Sequence, residues 1–210
     1  MKVNYQLELE KILNTLDTKP KLLLHACCGV CSSYVLEYLH KYFDITVLYY
    51  NPNIYPASEY QLRLKTQKEI INKMNVPVKL LEVGYDPKEF ETISKGLENE
   101  KEGGARCGKC YYFRLEKTAI LAKEQGYDYF CTTLSISPYK DAQKLNKIGK
   151  ILEDKYGIKY LYSDFKKKNG YKRSVELAKK YNLYRQDYCG CEFSLKESIE
   201  YKKQKEANLI

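Results

Sequence analysis

Cysteine carries the chemistry of this chain. Seven of its eight cysteines stand in three tight groups, Cys27-Cys28-x-x-Cys31, Cys107-x-x-Cys110 and Cys189-x-Cys191, and only Cys131 stands alone. Thiolates at such spacing point at a common centre, and four of them complete an iron–sulfur cluster or a structural zinc site. The adjacency of Cys27 and Cys28 favours a cluster. One metal ion takes both members of a vicinal pair only with strain, whereas a cluster offers them different irons. Seven sulfurs also exceed one four-ligand site. The division expected is a [4Fe–4S] cluster on Cys27, Cys28, Cys107 and Cys110, with a second, single metal on Cys31, Cys189 and Cys191 that keeps a position open for substrate. Its ground is stereochemical: Cys31 lies about one helical turn beyond Cys28 and can face away from it. Cys131, in the apolar run Tyr129-Phe130-Cys131, reads as a packing residue.

Other side chains have lesser claims. Asp164, Asp187 and Tyr188 are candidate proton donors or groups that orient a metal ligand. His25 stands just before the first cysteines, either as a proton shuttle or as a satisfied structural histidine, and His40 reads as helix surface. Arg106 and Arg114 flank the middle cysteine pair, where they can offset charge or hold a phosphate. The run Lys166-Lys167-Lys168 with Lys172 and Arg173, near the aromatics Phe165 and Tyr171, is a phosphate-binding candidate whose bland reading is a solvated face. No GxxxxGK(S/T) loop and no GxGxxG is present, which argues against a P-loop ATPase or a dinucleotide-dependent dehydrogenase. An SGGxDS-type pyrophosphatase loop is likewise missing after the first apolar run.

The elements that must position these groups alternate. Apolar runs at Lys21–Ala26, Asp44–Tyr50, Val78–Val83, Tyr127–Thr133 and Ile158–Tyr162 read as strands. Helices are expected over Tyr5–Leu16, from Ser32 or Ser33 as N-cap, over Ala57–Met74, Pro87–Leu97, Lys109–Gln125, Asp141–Tyr156 and Ser174–Tyr181, and in the polar tail Glu192–Ile210. Glu98–Arg106 reads as an exposed loop leading into Cys107. This alternation predicts an α/β fold: a single Rossmann-like domain with a mostly parallel sheet covered by helices on both faces. In such sheets the ligand sits beyond the carboxyl ends of the strands, and here the first such loop carries cysteines in place of a phosphate cradle.

Bulk properties agree. The 210 residues, 44% of them hydrophobic, suit one domain spanning 1–210. No signal peptide is visible at the start and no apolar run is long enough for a membrane span, so a cytoplasmic protein without a membrane partner is expected. Thiols there stay reduced, which favours metal over disulfides. The net charge of +9 makes nucleic acid the first candidate partner. Many of the 22 tyrosines belong at the edges of the core, and others can stack on unpaired bases.

Several stretches together resemble the QueH-type epoxyqueuosine reductases. They are His25-Ala26-Cys27-Cys28-Gly29, Tyr50-Asn51-Pro52-Asn53-Ile54, Arg106-Cys107-Gly108-Lys109-Cys110-Tyr111, Thr132 to Pro138, Ser163-Asp164-Phe165-Lys166-Lys167 leading to Gly170-Tyr171-x-Arg173-Ser174, and Leu183 to Cys191. The resemblance runs from about residue 21 to 195. It implies a HUP-like fold and the last step of queuosine synthesis: removal of the epoxide oxygen of epoxyqueuosine at the wobble position of tRNAs for tyrosine, histidine, asparagine and aspartate. It also implies an iron–sulfur cluster, a nearby iron, no cobalamin, and an anticodon loop splayed open to reach the metal. Electrons would come from an external donor. Two other functions compete. A tRNA sulfur-transfer enzyme on the same fold would need ATP, which the missing pyrophosphatase loop disfavours. A zinc-stabilised RNA-binding module explains four cysteines comfortably and seven poorly.

Overall fold

Five of the apolar runs form one sheet. Strands β1 (Lys21–His25), β2 (Asp44–Tyr49), β3 (Val78–Glu82), β4 (Tyr129–Thr132) and β5 (Lys159–Tyr160) lie in the order β3-β2-β1-β4-β5. Every pairing is parallel, as in Leu24↔Val47 between β1 and β2 and Leu24↔Cys131 between β1 and β4. The coordinates are a computed structural model that describes residues 2–207. The helices are α1 (Tyr5–Asn14), α2 (Gly29–Leu39), α3 (Ala57–Met74), α4 (Pro87–Ser94), α5 (Ala105–Glu124), α6 (Ala142–Tyr156), α7 (Gly170–Lys180) and α8 (Glu192–Ala207), with a 3-10 turn at Thr133–Ile136. No described helix is long and apolar enough to cross a membrane. The expected fraying at the C-terminal end, 208–210, lies outside the described residues.

The sheet is apolar on both faces because its strands send alternate residues to opposite sides. Leu23, Leu48, Phe130 and Tyr160 join the core beneath α5 and α6, with Leu115, Ala119, Leu145 and Leu152. Leu22, Leu24, Ile45, Val47 and Cys131 join the opposite core, with Leu9 and Leu13 of α1 and Val35, Leu36 and Leu39 of α2. Cys131 is therefore a core residue. Its thiol lies 3.2 Å from the Leu161 carbonyl, and burial pushes it up to about 12.

Three helix starts differ from the sequence reading by several residues, and two of them matter for the cysteines. Helix α2 begins at Gly29, ahead of Ser32, because the Cys28 thiol caps it by accepting the Cys31 N–H at 3.3 Å. Ser32 instead turns inward and donates to Gln67 Oε1 at 2.7 Å. Gly29 permits this: a Cβ there would stand 2.6 Å from the Thr66 carbonyl oxygen of α3. Helix α5 begins at Ala105, so Cys107 and Cys110 sit on helix, three residues apart and on one face. Strand β5 is shorter than its apolar run, although Leu161 still donates to the Phe130 carbonyl at 2.9 Å. Helix α4 stops at Ser94 and α7 starts at Gly170, ahead of Ser174.

Helix α6 lies directly on the sheet at Gly149, where a Cβ would fall 2.3 Å from the Tyr160 ring. Gly149→Ala should overpack this contact and cost about 1–3 kcal/mol, read as a lower melting temperature. An unchanged melting temperature would mean that α6 can move off the sheet freely.

Candidate metal centre and its cavity

Ligands of parallel α/β sheets sit where neighbouring strands send their crossovers to opposite faces. Here that point lies between β1 and β4. From β1 the chain enters Cys27 and Cys28 and then α2, while from β4 it enters the 3-10 turn and then α6. A cavity of about 650 Å³ opens there, lined among others by Cys27, Cys31, Arg114, Leu134, Lys140, Tyr188 and Cys189.

The sulfurs of Cys27, Cys28 and Cys31 lie within 4.8 Å of one another. Cys31 thus turns toward Cys28, contrary to the expectation that it faces away. The cause is the early start of α2, which folds the Cys31 backbone onto the Cys28 sulfur. Within the trio, hydrogen bonds from the Cys28 and Cys31 thiols, reinforced by Arg114, hold the Cys27 thiol well below its ordinary value. The two donors keep their protons, and Cys28 is pushed up to about 12.

Each cysteine group meets the first turn of a helix. Cys28 caps α2, Cys107 and Cys110 lie in the opening turns of α5, and Cys191 immediately precedes α8. Cys107 belongs to the same apolar cluster as Cys27 and Cys28, while Cys110 and Cys191 share a small cluster with Phe90. Burial pushes the Cys110 thiol up to about 11. Donors point at several sulfurs: Gly103 N–H to Cys107 at 3.2 Å, Gln186 Nε2 to Cys28 at 3.0 Å and Lys140 Nζ to Cys189 at 2.8 Å. Buried cations stand nearby. Arg114 (2% exposed) is held by Asn51 Oδ1 at 3.3 Å, and burial works against its charge while Cys110, Cys27 and Cys189 favour it. Lys140 is bound to Glu102 as well as to Cys189. Seven thiols, sulfur-directed donors and buried cations form a donor set that fits an iron–sulfur centre, whose thiolates need such compensation in a low-dielectric site.

The Cys189-x-Cys191 segment has no strand or helix of its own, and α3 holds it. Arg63 is fully buried and bound to Glu59 at 2.6 Å. Its Nη1 and Nη2 donate to the carbonyls of Cys189 at 3.0 Å and Tyr188 at 3.2 Å. Its guanidinium also lies over the Tyr188 ring, 5.1 Å from the centroid. Gly190 closes the fit: its φ of +140° suits glycine, and a Cβ would stand 3.1 Å from Arg63 Nη1.

The lesser candidates separate. Asp187 and Tyr188 line the cavity. Asp187 is paired with Lys202, which holds its carboxyl below the usual range, and the Tyr188 hydroxyl donates to the Tyr55 carbonyl. Asp164 lies elsewhere, in a neighbouring hollow with Asn4 and Gln143, bound to Lys166 at 2.7 Å. His25 is a satisfied structural residue. Its Nε2 meets the Tyr50 carbonyl at 3.2 Å, so that nitrogen carries the proton, and Nδ1 meets the Thr132 hydroxyl at 3.0 Å. Burial, aided by Arg114, brings it down to about 4 and keeps the ring neutral. His40 caps the C-terminal end of α2. Arg106 is buried too, tying the Leu97 and Glu98 carbonyls to α5 and stacking on Phe193. Of the basic run, Lys166 and Lys168 are committed to Asp164 and Glu10, Arg173 grips Glu37 with two nitrogens, and Phe165 is buried in the core. That face is therefore more neutral than its sequence. Arg63, Lys140 and Gln186 are the site residues the sequence reading passed over. The Glu59/Arg63 spacing was one available signal, and the nearness of Lys140 and Gln186 to cysteine-bearing or resembling stretches another.

Comparison with known proteins adds three kinds of likeness. The family model described as "Epoxyqueuosine reductase QueH" matches residues 22–197. A relative so named from Staphylococcus epidermidis is 45% identical, over 96% of this chain and 89% of its own. Another so named, from Streptococcus pyogenes, is 44% identical over 93% and 79%, and one from Thermotoga maritima is 37% identical over 85% and 92%. Among solved structures, the U34-tRNA thiolase NcsA from Methanococcus maripaludis with its [4Fe-4S] cluster superposes with a TM-score of 0.51. It is 14% identical, over 97% of this chain and 73% of that one, which shows a shared fold.

Arg63→Met should leave Glu59 buried without its cation and lower stability by about 3–5 kcal/mol in chemical denaturation. Adding Glu59→Gln should recover part of that loss. Equal losses in the single and double variants would mean that the stranded carboxylate is not the cause.

Proposed function

The chain belongs to the epoxyqueuosine reductase QueH family, and on that premise we propose how its site divides the work of reducing epoxyqueuosine in tRNA to queuosine. The reaction consumes two electrons and two protons. The epoxide oxygen leaves as water, and the two carbons it bridged are left joined by a double bond. Cys27, Cys28, Cys107 and Cys110 hold a [4Fe–4S] cluster, and Cys31, Cys189 and Cys191 hold a second single metal, iron. The solved thiolase with a [4Fe-4S] cluster supports a cluster of that kind on this fold. The observation that supports the division is exposure: Cys31 and Cys189 are the two half-buried cysteines and both line the cavity. Cys27 reaches the same cavity from the cluster set, and Cys191, buried beside Cys110, completes the second set by its sequence neighbourhood to Cys189. When bound, the cluster supplies electrons one at a time and the second metal supplies a Lewis acid for the epoxide oxygen.

The chain's own residues do the rest. Arg114 and Lys140 offset the thiolate charge from inside the protein. Arg63 holds Cys189 in place through its carbonyl. Tyr188, which lines the cavity, is the proposed proton donor to the departing oxygen. Asp187, on the same wall but held ionised by Lys202, and Asp164, outside that cavity, are assigned no proton-donating step. The electrons come from an external donor, and the substrates are the tRNAs for tyrosine, histidine, asparagine and aspartate. The thiolase likeness does not favour sulfur transfer here, since the close relatives are reductases by name.

Protein purified without oxygen should contain about four sulfides with four or five irons per chain. With a chemical reductant it should convert epoxyqueuosine in tRNA to queuosine, read by nucleoside chromatography. Cys31→Ala should keep the sulfide and the cluster absorbance yet lose turnover. Loss of absorbance in that variant would sink the division, and zinc without sulfide in the parent would point to a structural RNA-binding module.

Hydrogen bonds to sulfur raise the potential of an iron–sulfur centre. Gln186→Leu removes the donor to Cys28 and should make the cluster harder to reduce, measured by redox titration followed by electron paramagnetic resonance. An unchanged potential would show that the Gln186 amide does not reach the cluster.

A further inference from the structure

Among the described residues four tyrosines are solvent-exposed: Tyr55, Tyr139, Tyr171 and Tyr201. Three of the four line the rim of the cysteine cavity. Tyr139 is 81% exposed, Tyr201 68% and Tyr171 38%. They come from three separate parts of the chain: the link between the 3-10 turn and α6, the exposed half of α8, and the first turn of α7. Folding gives no reason for this, because an aromatic ring left in water forgoes the burial that stabilises it elsewhere in the chain. The rim is also poor as a phosphate trap. Of its cations, Lys140 is bound to Glu102, and the carboxylates Glu197 and Asp187 on the same lining are themselves paired with Arg106 and Lys202. Among the described residues, two cations on this lining make no ion pair, and of these Arg114 is buried, which leaves Arg185 as the exposed one. What remains free to bind is a set of aromatic faces around an opening wide enough for a small ligand.

We propose that Tyr139, Tyr171 and Tyr201 are stacking platforms for the unpaired bases that flank the modified nucleotide, holding the RNA loop open while one nucleoside enters the cavity. The proposal rests on the tRNA reductase reading and deepens it by naming the residues that receive the loop. Every base has a face, so such platforms tolerate different neighbouring bases, as an enzyme acting on several tRNAs requires. Rings spaced around a mouth also suit splayed bases better than the continuous apolar patch of a docked protein.

The test uses anaerobically purified protein and a fluorescently labelled RNA hairpin carrying an unmodified anticodon loop, so that binding is read independently of reduction. Tyr139→Ala, Tyr171→Ala and Tyr201→Ala should each weaken hairpin binding by about 5- to 150-fold, and the matching Phe variants should bind like the parent. The slope of log affinity against log salt should stay unchanged in all six, because no phosphate contact is lost, whereas Arg185→Gln should flatten it by about 0.7. Parent-like binding by the Ala variants would overturn the proposal. So would Ala variants that bind the hairpin normally but lose turnover only when a protein electron donor replaces a chemical one, since the rim would then belong to that donor. Tyr139 and Tyr201 are largely exposed, so the melting temperatures of their Ala variants should match the parent, and for the more covered Tyr171 the variant Tyr171→Leu keeps apolar packing while removing the aromatic face.

Discussion

The Arg63–Glu59 pair is the constraint on which this site depends. The third cysteine group lies over a hundred residues from the first in sequence, on a segment with no secondary structure to fix it. A buried guanidinium on α3 supplies what the segment lacks: two hydrogen bonds to its carbonyls and a cation against its tyrosine. Glu59 sets the direction of that guanidinium and takes the Tyr184 hydroxyl as well, at 2.9 Å, so the approach to the segment is held from the same helix. A buried ion pair is a poor source of stability by itself, because desolvation offsets most of the attraction. Its use here is positional. It brings Cys189 to the cavity edge, where Lys140 meets the sulfur.

The rest of the centre follows from topology. At the switch point of a parallel sheet a helix N-terminus commonly faces a bound phosphate. In this chain the Cys28 sulfur occupies that place and accepts the free N–H of Cys31. Buried Arg114 and Lys140 extend the same logic, and neither is explained by the apolar cores around it. Arg114 is oriented by Asn51, whose amide also donates to the Ala26 carbonyl at 2.9 Å, so the loops after β1 and β2 share one arrangement.

Much of the fold was legible because buried parallel strands write themselves as short apolar runs between helical stretches. All five strands and their neighbouring helices fall where those runs lie. The grouping of cysteines was legible for the same reason: it is local. What escaped depended on exceptional caps or long range. A thiol is not among the usual helix caps, so the start of α2 was misplaced and Cys31 with it. Phe165 and the lysines beside it looked like one basic, aromatic surface, yet Phe165 is core and its neighbours pair with Asp164 and Glu10. Arg63 was passed over because an i, i+4 Glu/Arg pair on a polar helix does not by itself point inward. Its carbonyl partners lie 125 and 126 positions away, and nothing local announces them.

The three helix starts that meet the cysteine groups have a further consequence. Each helix N-terminus carries roughly half a positive elementary charge, made of peptide dipoles that the fold locks in place. Water around an exposed centre must turn each time an electron arrives or leaves. Dipoles built into α2, α5 and α8 cannot turn, and they already face the side on which negative charge grows. The protein thus offers its sulfurs a frozen solvent, the kind of environment in which a charge change at a bound centre would demand little reorganisation.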